Sequence, residues 1–152
     1  MKATEELIIT AKIRILKPVA EVYEAIVNPE KMSHYFISKG SDRMDGGKAL
    51  IWNFPEFDVD VPVLVDKIDA NRYISYYWDV DAKKHLVEIL LEKESTDATI
   101  VTVREKGENN NEAGIKWLMG NTEGWANFLA CLKAYLEYGI NLRKGAFDFL
   151  KA

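Results

Sequence analysis

One stretch near the C-terminus decides the fold, and it reads Asn121-Thr-Glu-Gly-Trp-Ala-Asn-Phe-Leu-Ala-Cys-Leu-Lys-Ala-Tyr-Leu-Glu-Tyr-Gly139. At about 100° per residue, its large apolar side chains fall on one face of a helix. They are Trp125, Phe128, Leu129, Leu132, Tyr135 and Leu136. Asn121 or Thr122 can cap the N-terminus, and Gly139 suits the C-terminal stop. The pattern therefore predicts a long amphipathic helix over 121–139.

Length and composition predict one soluble globular domain over residues 1–152, because 48% of the residues are apolar and 29% are charged. A single cysteine, Cys131, excludes an internal disulfide and provides no zinc-ligand cluster. The net charge of -4, without a block of Lys and Arg, argues against a nucleic-acid partner. The acidic N-terminal segment lacks the basic region of a signal peptide, so we expect a cytoplasmic protein that has no membrane partner.

Upstream of the helix, the chain alternates apolar and polar residues in strand-like runs. The predicted strands cover 7–16, 49–54, 58–68, 72–80, 84–94 and 98–106, and Pro62 indicates a sheet edge or a bulge. Two short helices are predicted over 19–27 and 29–35, and a polar loop over 107–114. This order predicts an α+β fold, in which a curved antiparallel sheet of about six or seven strands wraps around the C-terminal helix.

Two segments resemble a known family. The first runs from Lys17-Pro-Val-Ala-Glu-Val-Tyr-Glu-Ala-Ile26 through Asn28-Pro-Glu-Lys-Met32 to Tyr35-Phe36, and the second from Thr122 to Gly139. They are similar to the helix-grip domains of the START and birch-pollen-allergen superfamily (SRPBCC), in the branch named after the activator of the heat-shock-protein-ninety ATPase. The resemblance covers essentially the whole chain. It implies a helix-grip fold with a pocket between the sheet and the long helix.

Aromatic residues are the candidates to line that pocket, because flat rings make apolar walls while Trp and Tyr keep a polar atom for orientation. The candidates are Tyr35, Phe36, Trp52, Phe54, Tyr76, Trp78, Trp117, Trp125 and Phe128, with Cys131 and Tyr135 where the helix meets the pocket. The alternative is that these side chains only fill the core, which is the stronger expectation for Trp125 and Phe128.

Two residues of the 84–94 strand are candidates for proton transfer. Periodicity favours the face with His85, Val87, Ile89 and Leu91 as the core face, which would leave Glu88 in solvent. An inward Glu88 would instead be a carboxylate with a raised pKa, able to act as a base. His85 follows two lysines at the start of the strand, so we predict a surface or rim histidine.

No metal or cofactor is expected, because the acids Glu56, Asp58 and Asp60 alternate as on a solvated strand face.

The leading hypothesis is a binding domain for a small hydrophobic molecule, lipid-like or aromatic. One alternative is an enzyme of the cyclase, dehydratase or hydrolase kind that uses Glu88 or His85. Another is a chaperone ATPase co-factor, as the family name suggests. A strand edge, or the helix back with Ala126, Ala130 and Ala134, could support a homodimer.

Overall fold

A computed structural model describes residues 5–151, and within that range the chain forms seven strands and three α-helices. In chain order these are β1 (Glu6–Ile15), α1 (Val19–Val27), α2 (Pro29–Met32), β2 (Lys39–Gly40), β3 (Ala49–Phe54), β4 (Phe57–Asp69), β5 (Tyr73–Val80), β6 (Lys83–Ser95), β7 (Ala98–Asn109) and α3 (Glu112–Tyr138). A short 3-10 turn, Asp148–Leu150, follows near the C-terminus. No helix in the described range is long and apolar enough to cross a membrane.

The strands form one antiparallel sheet in the order β1-β7-β6-β5-β4-β3-β2, and α3 packs on its concave face. The predicted α+β helix-grip architecture is therefore confirmed, including the two short helices after β1. Pro62 lies in the half of β4 that pairs with β3 and precedes the segment paired with β5. β4 is therefore an interior strand, but at Pro62 it has a neighbour on one side only, where the missing N–H of a proline is tolerated.

The start of the long helix differs from the prediction. α3 begins at Glu112, nine residues before Asn121, and the Asn111 side chain caps it by accepting a hydrogen bond from the Gly114 backbone N–H at 2.8 Å. The predicted loop over 107–114 is therefore mostly the end of β7 and the first turn of α3. Gly114 is needed there, because a Cβ atom would lie 2.0 Å from the Asn109 carbonyl oxygen. The predicted C-terminal stop is confirmed, with Gly139 in the left-handed conformation at φ 66°.

The inward face of β6 is the predicted one. His85, Val87, Ile89 and Leu91 are buried on the side of α3, while Glu88 lies on the outer face of the sheet. There the Glu88 carboxylate accepts a hydrogen bond from the Tyr73 hydroxyl at 2.5 Å. Partial burial, followed by this hydrogen bond, raises the pKa of Tyr73 to about 12.

Candidate functional site

The candidate site is a cavity of about 390 Å³ between α3 and the C-terminal segment 139–151. Most of its wall is aromatic, from Phe36 after α2, Trp78 of β5, Trp125 of α3, and Phe147 and Phe149 of the C-terminal segment. The polar lining consists of Asn121, Glu123, Asn127 and Arg143. Such a mixture of aromatic surface and a few polar groups is typical of small-molecule sites.

A bidentate ion pair holds the C-terminal segment over the cavity. The Arg143 guanidinium donates from Nε and Nη2 to the two Glu56 carboxylate oxygens, at 2.9 and 3.1 Å. The same guanidinium lies 4.9 Å from the Phe147 ring centroid and 5.7 Å from that of Phe36. Glu56 is only 5% exposed, so its assignment to a solvated strand face was wrong, because the turn after β3 directs it inward. The side chain of Asp58 lies outside the described residues.

A second cavity, of about 400 Å³, lies on the other side of Arg143. It shares Phe36 and Arg143 with the first cavity, and Tyr35 also lines it. The rest of its lining is mainly polar and includes Ser33, Ser38, Asn141, Lys144 and Asp148. Arg143 therefore separates an aromatic cavity from a polar one.

Two glycines expose the backbone of α3 to the aromatic cavity. Gly120 and Gly124 stand one helical turn apart, and a Cβ atom added to either would meet nothing within 4 Å. A glycine inside a helix costs about 1 kcal/mol relative to alanine. The protein's own packing does not require either glycine, so the flat helix surface that they create is open to an occupant of the cavity.

Behind the cavity wall lies the buried carboxylate of Glu105, which is 0% exposed. Its Oε1 accepts hydrogen bonds from Trp125 Nε1 at 2.7 Å and Asn121 Nδ2 at 3.3 Å. Its Oε2 accepts from Trp78 Nε1 at 3.1 Å and lies 2.9 Å from His85 Nδ1. Trp78, Asn121 and Trp125 also line the cavity. The Glu105 carboxylate therefore links the part of the wall on β5 to the part on α3.

The prediction of a surface or rim His85 was wrong, since the side chain is fully buried. Its Nε2 lies 2.7 Å from a Glu108 carboxylate oxygen, and the Trp117 ring packs edge-on against it at 4.9 Å. A Cβ atom on Gly107 would lie 2.5 Å from His85 Cδ2, so glycine leaves the space for the ring. The two lysines before His85 suggested a surface position, but Lys83 donates a hydrogen bond to Glu108 at 3.1 Å and so belongs to the same cluster.

Glu108 has a pKa that reflects these contacts. Burial on its own would raise the pKa of Glu108, but hydrogen bonds from His85 and Lys83 outweigh burial and hold the pKa below its ordinary value of 4.5. Glu108 is therefore a carboxylate anion at neutral pH, paired on one oxygen with a histidine ring and on the other with a lysine.

Sequence reasoning missed Glu105, Glu108 and Arg143. A signal for Glu105 was present, because Val101, Val103 and Glu105 alternate on one face of β7, and the first two are typical core residues. Arg143 follows the predicted end of the helix, in a segment without periodicity, and its partner Glu56 is 87 residues away in the chain. No local pattern connects those two.

The structure separates the predicted pocket residues into two groups. Phe36, Trp78 and Trp125 line the aromatic cavity, and Tyr35 and Phe36 line the polar one. The others line neither of these two cavities and lie in or against the core: Trp52, Phe54, Tyr76, Trp117, Phe128, Cys131 and Tyr135. Burial raises the pKa of the Cys131 thiol, which makes it a poor nucleophile.

Three buried polar atoms have no hydrogen-bond partner among the described residues, namely Trp52 Nε1, Tyr76 Oη and Trp117 Nε1. The Trp52 and Tyr76 rings pack edge to face with centroids 5.2 Å apart. Burial, and then the Glu105 charge, raise the pKa of the Tyr76 hydroxyl well above its ordinary value. Tyr76 is thus a neutral hydroxyl in the aromatic core.

The two candidates for proton transfer do not meet in this site. Glu88 lies on the outer sheet face, and both ring nitrogens of His85 are engaged by carboxylates. Neither residue lines the aromatic or the polar cavity.

The curved antiparallel sheet, the helix pair after β1 and the long α3 define an α+β helix-grip domain of the START-like class. Within this class the chain belongs to the family described as Activator of Hsp90 ATPase homolog 1-like protein, whose model matches residues 17–137. No curated protein matches the sequence.

Solved structures share the fold along most of the chain. A protein from Staphylococcus saprophyticus is 30% identical at a TM-score of 0.77, over 90% of this chain and 96% of that one. DynU16, a protein in the dynemicin biosynthetic locus, is 22% identical at a TM-score of 0.78; the match covers 88% of this chain but 48% of that one. The Aha1 dimer from Colwellia psychrerythraea is 19% identical at a TM-score of 0.69, over 88% and 98% of the two chains.

Proposed function

We propose that this protein is a binding domain for a small apolar molecule, and that the ligand occupies the aromatic cavity beneath residues 139–151. The observation that carries the proposal is the wall of this cavity, where two indoles and three phenyl rings surround about 390 Å³. That volume falls within the range of about 300–1,000 Å³ that small-molecule sites occupy.

The shape of the wall favours a flat aromatic ligand over a flexible lipid chain. The Trp78 and Trp125 ring centroids lie 5.7 Å apart with the rings inclined by 32°, so the two indoles pack together into one continuous part of the wall. Gly120 and Gly124 add a stretch of helix backbone without side chains. A rigid ring system can contact these surfaces at once without losing the conformational freedom that a lipid chain would lose.

Burial of apolar surface supplies the driving force. Phe149 lines the cavity although it is 78% exposed, and Leu150 is 48% exposed. An occupant would remove part of this surface from water, which contributes about 25 cal/mol per Å². Arg143, Asn127 and Glu123 lie around the same cavity and can orient a polar substituent.

The binding test is a titration of the protein with 2-naphthol and, separately, with palmitate, followed by tryptophan fluorescence. We expect saturable binding that is stronger for 2-naphthol. Gly124→Leu places a side chain into the cavity from a position where an added Cβ atom meets nothing within 4 Å, and it should abolish the response. Ala126→Leu is the matched control, because Ala126 is exposed on the same helix and does not line the cavity. A response that Gly124→Leu leaves unchanged would exclude this cavity as the site.

The other hypotheses from the sequence stay predictions. No contact in the described residues favours an enzyme that uses Glu88 or His85. A chaperone partner is suggested by the family description alone, and a homodimer by the Colwellia protein, which is described as a dimer. Cytoplasmic residence also stays a prediction.

A further inference from the structure

Glu105, His85, Glu108 and Lys83 form a charge cluster behind the cavity wall, and none of these four residues lines the cavity. Glu105 is fully buried, and each of its two oxygens accepts an indole N–H from a different side of the cavity. Trp78 comes from the sheet and Trp125 from α3. Without the carboxylate, ring packing is the remaining direct contact between these two side chains, and ring pairs tolerate several orientations. The carboxylate therefore fixes the distance and inclination of the two indoles.

The position of His85 indicates how the buried charge of Glu105 is supported. Its two ring nitrogens lie 2.9 Å from Glu105 and 2.7 Å from Glu108. A neutral imidazole has one N–H and could donate to only one of these carboxylates, whereas an imidazolium donates to both. Lys83 adds a second positive charge, because it donates a hydrogen bond to the Glu108 oxygen that does not face His85. Two carboxylates are then balanced by two cations.

Among the described residues, no charged group other than Glu105 and Glu108 forms a hydrogen bond or an ion pair with the His85 ring. β7 contributes Glu105 and Glu108, β6 contributes Lys83 through Glu108, and α3 contributes the uncharged ring of Trp117. Loss of the proton from His85 would leave one ring nitrogen lone pair facing a carboxylate and would leave the cluster with a net negative charge. Such a buried charge is costly unless it is paired.

We propose that Glu105 is the positioning residue of the aromatic cavity, and that His85, which donates from both ring nitrogens, holds Glu105 in place, so that ligand affinity falls when Glu105 is replaced. The part that concerns affinity rests on the proposed function. The part that concerns the cluster does not, since it is a property of the protein without ligand.

The ligand-free test uses nitrogen-15 NMR spectra of the His85 ring and of the tryptophan indoles. In the wild type, both His85 ring nitrogens should carry a proton, because each lies within hydrogen-bond distance of a carboxylate. Glu105→Gln should displace both indole signals, whereas Glu88→Gln, on the outer face, should leave them in place. A His85 ring that carries only one N–H proton, or indole signals that Glu105→Gln does not move, would overturn the proposal.

The affinity test compares 2-naphthol binding by the same variants. Glu105→Gln should weaken binding about tenfold, the equivalent of one hydrogen bond to a charged group, and Glu88→Gln should not change it. If Glu105→Gln does not fold, Trp125→Phe keeps a ring and removes one N–H donor; it should shift the Trp78 indole signal and weaken binding. Unchanged affinity in both variants would overturn the positioning role. If the wild type binds no probe, the proposed function fails, while the ligand-free spectra still decide the state of His85.

Discussion

Glu105 and Trp125 are joined by a hydrogen bond of 2.7 Å between a fully buried carboxylate and an indole N–H that faces it from α3. The bond connects the long helix to β7, the strand beside the edge strand β1, at the place where the aromatic cavity begins. Because the same carboxylate also binds Trp78, Asn121 and His85, its removal leaves several buried donors without an acceptor. This relationship makes the stability of the core and the shape of the candidate site depend on one side chain.

The first prediction concerns Glu105→Ala. Breaking a buried charge cluster by removing one partner costs about 3–5 kcal/mol, and we expect a loss of that size in the free energy of unfolding. Urea denaturation measures it. Glu88→Ala on the outer face of the same sheet should cost about 1 kcal/mol or less. Equal losses in the two variants would contradict the central place given to Glu105.

The second prediction concerns acid. The pKa of Glu108 is lowered in the folded protein, so its stabilising contribution is fully present above its ordinary value of 4.5 and is lost as the pH falls through the folded value. Glu108→Gln should therefore be less stable than the wild type at neutral pH. The difference should shrink as the pH falls below 4.5. Urea denaturation over a pH series tests this, and a pH-independent difference would disprove it.

The third prediction contrasts two glycines. Gly107 has φ 150° and lies against the His85 ring, so Gly107→Ala should destabilise the fold by about 1–3 kcal/mol. Gly124→Ala meets no atom within 4 Å and should stabilise the helix by up to about 1 kcal/mol. Thermal unfolding of both variants gives the two signs. Because Gly124 lines the cavity, the more stable variant should also bind 2-naphthol less tightly.

The fourth prediction concerns the C-terminal segment. Arg143→Met leaves the buried Glu56 carboxylate without its bidentate partner, which should cost about 2–3 kcal/mol. Glu56→Gln/Arg143→Met should be less unstable than the sum of the two single changes. Urea denaturation of the three variants gives the coupling energy. Strict additivity would show that the ion pair does not hold residues 139–151 in place.

The sequence predicted the architecture well because period-two and helical patterns are local. It placed Val87, Ile89 and Leu91 inward on β6, and it placed Trp125, Leu129 and Leu132 on the buried face of α3. It failed where a polar residue is stabilised by distant partners. His85 is buried with its two ring nitrogens facing Glu105 and Glu108, and Glu56 is buried with its carboxylate paired to Arg143. These partners lie 20 to 87 residues away.

The helix start shows a related limit. Asn111 and Gly114 predict a loop by local propensity, whereas in the fold Asn111 is a cap and Gly114 passes close to the Asn109 carbonyl. For the site, the aromatic composition predicted Phe36, Trp78 and Trp125 as candidates, and all three line the aromatic cavity. Composition alone could not distinguish them from Trp52 or Phe128, which lie in the core.

The most direct measurement of the central claim follows the four tryptophan indole N–H signals by NMR during a titration with 2-naphthol. Trp78 and Trp125 line the cavity and should shift in a saturable manner, while Trp117 does not line it and should stay in place. Gly124→Leu should abolish the shifts, and Ala126→Leu should retain them. Indole signals that do not move, or that move equally in Gly124→Leu, would contradict a ligand site in this cavity.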